Sequence, residues 1–202
     1  MSDRLLLRDH LRDHSVSYGD FQLASGQTST VYVDAKLSTC HAEAMPLVGR
    51  LFLKKMVERG WFPKAVGGLT LGADPIAAAV ARESINEGSP IDLFVVRKEA
   101  KKHGLQKYLE GVPRTEGLSV VVVDDVCTTG GSTIKAVERC REAGMNVLGA
   151  ICLVDREQGA REALAEIRCP FESIFTLREL IDEPEPVGPR TSASASRAAT
   201  RR

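Results

Sequence analysis

The 202-residue sequence carries no excess of either charge: Lys+Arg and Asp+Glu each total 27. A general footprint for nucleic acid or an anionic membrane surface is therefore missing, and any basic site has to be local. Cysteine is sparse as well. Cys40, Cys127, Cys140, Cys152 and Cys169 are odd in number, widely spaced and without a CxxC pair. That pattern argues against a disulfide framework or a zinc knuckle and fits a reducing cytoplasm. Long apolar runs are lacking, and the opening MSDRLLLRDHLRDH breaks its leucines with charges, so neither a membrane span nor a secretory leader is read. No internal repeat is visible. The length suits one well-buried core and is short for two, and 43% hydrophobic with 27% charged residues is ordinary soluble-protein usage.

What is present is a succession of short apolar runs separated by helical patterns. A helix is expected over about residues 3–13, then two short strands in FQLASGQTSTVYVDAK around a Gly-Ser-Thr turn. Pro46 suits the first turn of a helix in which Leu47, Val48, Leu51, Phe52 and Met56 share a face and Gly60 is the stop. A strand over 65–68, the loop TLGAD, and an Ala-rich helix from Pro75 follow. The runs 92–97, 119–125 and 147–155 are continuously apolar, which means burial on both faces and a parallel α/β sheet. From about residue 183 the text is rich in Pro, Ser, Ala and Arg, and 183–202 is read as a disordered tail behind a single domain of residues 1–182.

The stretch VVVVDDVCTTGGST, Val120 to Thr133, places a Gly-rich loop between a buried strand and a helix start. A loop at the carboxyl end of a sheet strand is where open α/β folds bind ligands. Its N–H groups and the following helix N-terminus favour a phosphate, Gly130 and Gly131 allow close approach, and hydroxyls add donors. Neither GxxxxGK[ST] nor GxGxxG occurs. Here the acids precede the cradle, which makes sense if Asp124 and Asp125 accept hydrogen bonds from a ribose diol whose 5-phosphate lies in the loop. Downstream of the strand at 92–97, RKEAKKHG gathers Arg97, Lys98, Lys101, Lys102 and His103 against one acid, Glu99, in a loop long enough to be a lid. Arg156 follows the last long strand, where a guanidinium suits a planar carboxylate.

VVVVDDVCTTGGST resembles the 5-phosphoribosyl-1-pyrophosphate (PRPP) motif of type I phosphoribosyltransferases. FVVRKEAKKHGLQKYLEG resembles the mobile catalytic loop of orotate phosphoribosyltransferases, FQLASGQTSTVYVDAK their orotate-side segment, and GLTLGADPIA their pyrophosphate-side loop. The resemblance implies a central, mostly parallel sheet flanked by helices, a small N-terminal hood over 1–40 and a mobile loop over 98–115. It implies transfer of phosphoribose from PRPP to orotate in pyrimidine (UMP) synthesis, with Mg²⁺ as cofactor and a cytoplasmic homodimer whose loops reach the neighbouring active site. By resemblance PRPP is bound by Arg97, Lys98, Lys101, His103, Asp124, Asp125, Val126, Cys127, Thr128, Thr129, Gly130, Gly131 and Ser132. Lys101 is the chief catalytic lysine, with His103 and Asp125 beside it. Orotate falls to Thr128, Arg156, Tyr32 and Val33.

Mg²⁺ is expected to be held mainly by PRPP oxygens and water, with Asp124 or Asp125 as direct ligands left open. Two departures stand out: Ala24 where many members have lysine, and TLGAD, which lacks the Tyr-Lys pair common before GxxPIA. Backbone amides around Thr70 to Ala73 are the expected substitute. A redox role for Cys127 and a metal site at Cys40-His41 are set aside. Two alternatives remain, a phosphoribosyltransferase for another nucleobase and a PRPP-sensing regulator. The intact RKEAKKHG and the roughly twenty residues before Phe21 disfavour the regulator.

Overall fold

The computed structural model describes residues 1–22, 28–100 and 108–181. The expectations at Ala24, Lys101, Lys102 and His103, and for the tail at 183–202, lie outside those residues.

Helix α1 (Asp3–His14) leads into the hairpin β1 (Val16–Gln22) and β2 (Thr28–Val33), a separate antiparallel pair. The short α2 (Lys36–Thr39) and α3 (Met45–Glu58) come next. Alternation then sets in: β3 (Ala65–Leu69), α4 (Ala73–Asn86), β4 (Asp92–Val96), β5 (Leu109–Glu110), β6 (Ser119–Cys127), α5 (Gly131–Glu142), β7 (Asn146–Asp155), α6 (Ala160–Glu166), β8 (Phe171–Thr176) and α7 (Leu177–Ile181). The main sheet has the order β5-β4-β3-β6-β7-β8 and is parallel except for β5, which runs antiparallel to β4.

The continuous apolar runs are explained by this layering. Val121 and Val123 face a core with Leu7, Phe52 and Ile76 of α1, α3 and α4, while Val120 and Val122 face a second core with Val137 and Leu164 of α5 and α6. All four valines are fully buried. Each contributes about 1.5–3 kcal/mol of burial free energy relative to exposure. Such a strand has no polar face to alternate.

Several boundaries differ from the sequence-based expectation. β6 continues through both acids to Cys127 because β7 stays paired with it at Val126↔Val154 and Cys127↔Asp155. The strand thus runs two residues past its expected end at Asp125, and the acids lie within it as read. Helix α4 begins at Ala73, ahead of Pro75; the Thr70 hydroxyl donates to Asp74 Oδ2 at 2.6 Å, and Pro75 occupies the first turn, where its missing N–H costs nothing. β8 and α7 extend the sheet and core with Phe171, Ile174, Phe175 and Leu180. No helix of the described residues is long and apolar enough to cross a membrane.

At the centre of β3, a Cβ on Gly67 would overlap the Phe94 carbonyl of the adjacent strand. Gly67→Ala is expected to destabilise the protein by about 1–3 kcal/mol through overpacking, seen as a lower urea midpoint at unchanged m-value.

Candidate active site

Three parallel strands, β3, β6 and β7, end on the same edge of the sheet, and the cleft lies there. Its larger lobe, about 450 Å³, is lined by Tyr32, Val33, Lys36, the run Asp124 to Thr133, and Arg156. A second lobe of about 260 Å³ lies against Leu69 to Gly72 and Lys98 and shares Lys36, Asp124, Asp125 and Ser132 with the first. The two lobes thus meet at the two acids.

The loop after β6 is shaped by local backbone chemistry. Gly130 has φ +82°, a left-handed conformation that suits glycine, and caps α5, whose first hydrogen bond runs from Ile134 N to Gly130 O at 2.8 Å. A side chain there would also press on Ala160 at 3.3 Å. Beyond its own chain neighbours and helix backbone, none of the described residues lies within 4 Å of where a Cβ on Gly131 would sit, so that face is open to a ligand. The N-terminus of α5, with no acid in its first turn, presents N–H groups and positive partial charge to the cavity.

Asp124 is buried, at 5% exposure. Its Oδ2 accepts from Thr133 Oγ1 at 2.8 Å and its Oδ1 from Asp125 N at 3.0 Å. Each oxygen keeps a second lone pair for a ligand hydroxyl. Burial first, and the neighbouring Asp125 carboxylate second, push the Asp124 carboxyl from its ordinary 3.8 up to about 7. Asp125 accepts from Val126 N at 2.9 Å and turns Oδ2 toward Lys36 Nζ at 3.4 Å. A Cβ on Gly72 would collide with the Asp125 carboxylate, so glycine is what lets the TLGAD loop close onto the acid.

Arg156 lines the same cavity. Its N–H donates to Cys127 O at 2.8 Å, tying the end of β7 to the end of β6. Glu157 follows in a left-handed conformation, φ 56°, with its N–H donating to Asp155 Oδ1 at 2.8 Å. Arg156 is 7% exposed and donates from Nη2 to Ser29 Oγ at 3.0 Å and Val31 O at 3.2 Å, while Nε is buried without a partner among the described residues. Burial lowers its pKa, yet an arginine remains charged at neutral pH. An unpartnered donor beside a polar cavity is a position where an anionic acceptor is favoured.

The structure brings Tyr32, Val33, Asp124 to Ser132 and Arg156 to one cavity, with Lys98 on the adjoining lobe. Arg97 lines neither lobe: its Nη1 meets Glu110 Oε1 of β5 at 3.4 Å, in a hollow that shares Thr70 and Lys98 with the smaller lobe. Cys127 is buried with Sγ 3.0 Å from Thr133 Oγ1. Sequence reasoning missed Lys36 and Thr133. Lys36 stood inside the quoted YVDAK, but nothing local marked it; Thr133 was read only as a helix start.

With this carboxyl raised to about 7 against an ordinary 3.8, the folded protein keeps a proton on Asp124 between those values that the unfolded chain has already lost. Stability should therefore fall as pH rises through that window and level off above it. Urea midpoints taken in EDTA across the window check this, and Asp124→Asn should flatten the slope; an unchanged slope would contradict the protonation.

The phosphoribosyl transferase domain family matches residues 41–178. Orotate phosphoribosyltransferase of Synechocystis sp. is 45% identical over 170 residues, covering 84% of each chain. That of Aquifex aeolicus is 43% identical over 184 residues, 90% of this chain and 99% of the relative. Among solved structures, Mycobacterium tuberculosis H37Rv orotate phosphoribosyltransferase in complex with Fe(III) dicitrate superposes with TM-score 0.79 at 41% identity, over 89% of this chain and 99% of the other. The same enzyme in complex with PRPP gives 0.74 at 37%, again over 89% and 99%. Alike over nearly its whole described length in sequence and in superposed structure to these enzymes, the chain belongs to the orotate phosphoribosyltransferases of the phosphoribosyl transferase domain family.

Proposed function

We infer that the chain transfers the phosphoribosyl group of PRPP to orotate, giving orotidine 5'-monophosphate and pyrophosphate in pyrimidine synthesis. The observation that carries the reading is that one cavity is lined both by the Asp124-to-Ser132 cradle and by a buried Arg156 whose Nε has no partner among the described residues. The N–H groups of Cys127 to Ser132 and the α5 terminus hold the 5-phosphate. Asp124 and Asp125 accept from the 2- and 3-hydroxyls. Arg156 takes the orotate carboxylate, with Thr128, Tyr32 and Val33 around the ring. The C1–O bond to pyrophosphate breaks, a bond from a ring nitrogen of orotate to C1 forms, and the sugar passes through an oxocarbenium-like state. Since orotate arrives as an anion, most of the acceleration comes from positioning and from neutralising the leaving group.

Mg²⁺ fits this site as a substrate-borne ion. No cluster of three or more His, Cys, Asp or Glu among the described residues is arranged to hold a metal. Mg²⁺ ordinarily takes one or two carboxylates plus substrate phosphates and water. Asp125, with an oxygen turned into the cleft, is the residue that would join it. When bound, the ion supplies charge neutralisation to the departing pyrophosphate.

The protein works as a homodimer with shared sites in this reading, supported by Arg97: it lines neither lobe of its own cleft and pairs with Glu110, so it can serve a neighbour's. Lys98 serves its own cleft, while resemblance assigns Lys101 and His103 to the pyrophosphate. The free cysteines fit a cytoplasmic enzyme.

Loss of orotate ultraviolet absorbance on adding PRPP and Mg²⁺ is the expected result, with adenine, guanine, hypoxanthine and uracil unused. Consumption of another base in place of orotate would overturn the assignment. Arg156→Gln should raise the orotate KM by about ten- to a hundredfold, the worth of a charge-assisted hydrogen bond, at a nearly constant PRPP KM.

A further inference from the structure

Lys36 is the cation on which both lobes of the cleft converge. It opens α2, and that helix is anchored from below: Ser38 is buried, its Oγ lies 2.7 Å from Ser15 Oγ and 3.0 Å from His10 Nδ1. The backbone of Lys36 is therefore fixed while its four-carbon stem projects into the cavity, with the side chain 45% exposed. Nζ sits 3.0 Å from Asp34 Oδ1 and 3.4 Å from Asp125 Oδ2. Across the smaller lobe stands the Thr70-Leu71-Gly72 segment, which has no lysine. Lys36 and Lys98 are the cationic side chains lining that lobe among the described residues.

We propose that Lys36 is a pyrophosphate-binding residue, stored on Asp34 and Asp125 in the free protein and turned to the leaving group when substrate occupies Asp125. The inference rests on the PRPP reading of the cleft. Its physical basis is competition for one carboxylate. In the free cleft Asp125 has the ammonium as its counter-ion; a ribose diol or a divalent cation arriving at the same oxygens displaces it. Lys36 then retains Asp34 as a tether and is left facing the lobe beside TLGAD, where a polyanion is its best new partner. A lysine delivered from the hood side thus does the work that the lysine-free loop cannot. A long flexible stem suits that exchange better than a fixed guanidinium fork would.

The test compares Lys36→Met and Lys36→Arg with wild type in the full chain, by calorimetric titration of inorganic pyrophosphate with Mg²⁺ and, separately, of orotidine 5'-monophosphate, alongside steady-state kinetics. Lys36→Met should weaken pyrophosphate binding and raise the PRPP KM about tenfold, consistent with the loss of one charge-assisted contact, while nucleotide binding stays within about twofold. Lys36→Arg should restore most of the pyrophosphate affinity, which a role limited to shaping Asp125 would not require. Unchanged pyrophosphate affinity in Lys36→Met, or an equal loss of nucleotide and pyrophosphate affinity, overturns the proposal. If wild type fails to consume orotate yet Lys36→Met still loses pyrophosphate affinity, the orotate reading fails and the Lys36 assignment stands.

Discussion

The hydrogen bond from Thr133 Oγ1 to Asp124 Oδ2, 2.8 Å long and buried, is the contact on which the site depends. It joins the last turns of β6 to the first turn of α5 and so fixes both ends of the loop between them. A buried carboxylate is costly unless hydrogen-bonded, and this one has the hydroxyl on one oxygen and the Asp125 N–H on the other. The acid is consequently held at one rotamer beside the cavity before any substrate arrives. The loop gains its direction from the same clamp, because Gly130 must turn left-handed to bring the helix start back under the strand end.

A second tie sets the acceptor side. Arg156 is separated from Ser29 by 127 positions, yet it donates to that hydroxyl and to the Val31 carbonyl, so the β1–β2 ribbon is drawn over the end of the sheet. Its backbone N–H is meanwhile bound to Cys127 O. One residue thus links the ribbon, the last long strand and the phosphate loop. Tyr32, 42% exposed, lies on the ribbon and lines the cavity.

Much of this was legible beforehand because it is written contiguously. The valines of β6, the acids and the glycine loop form a single string, and a strand buried on both faces shows as an uninterrupted apolar run. The extension of β6 to Cys127 was not legible, since it depends on β7 remaining in register beyond the acids. β8 escaped because Pro170 and Glu172 interrupt its apolar content, leaving Phe171, Ile174 and Phe175 too irregular to assign without their partner strand. Lys36 escaped for a different reason: its significance comes from an acid 89 residues away. The pairing of Arg97 likewise depends on Glu110 of β5, an edge strand of two residues inside what read as loop.

The division of labour at the cleft, acids toward the sugar and loop toward the phosphate, is tested most directly by Thr133→Val, which keeps the side-chain shape and removes the hydroxyl that clamps Asp124 and meets Cys127 Sγ. Titration with PRPP and with inorganic phosphate should separate the two functions. The account predicts PRPP affinity lowered about tenfold, the worth of one buried hydrogen bond, with phosphate affinity nearly unchanged. Equal PRPP affinity in variant and wild type, or a parallel loss of both ligands, would contradict it.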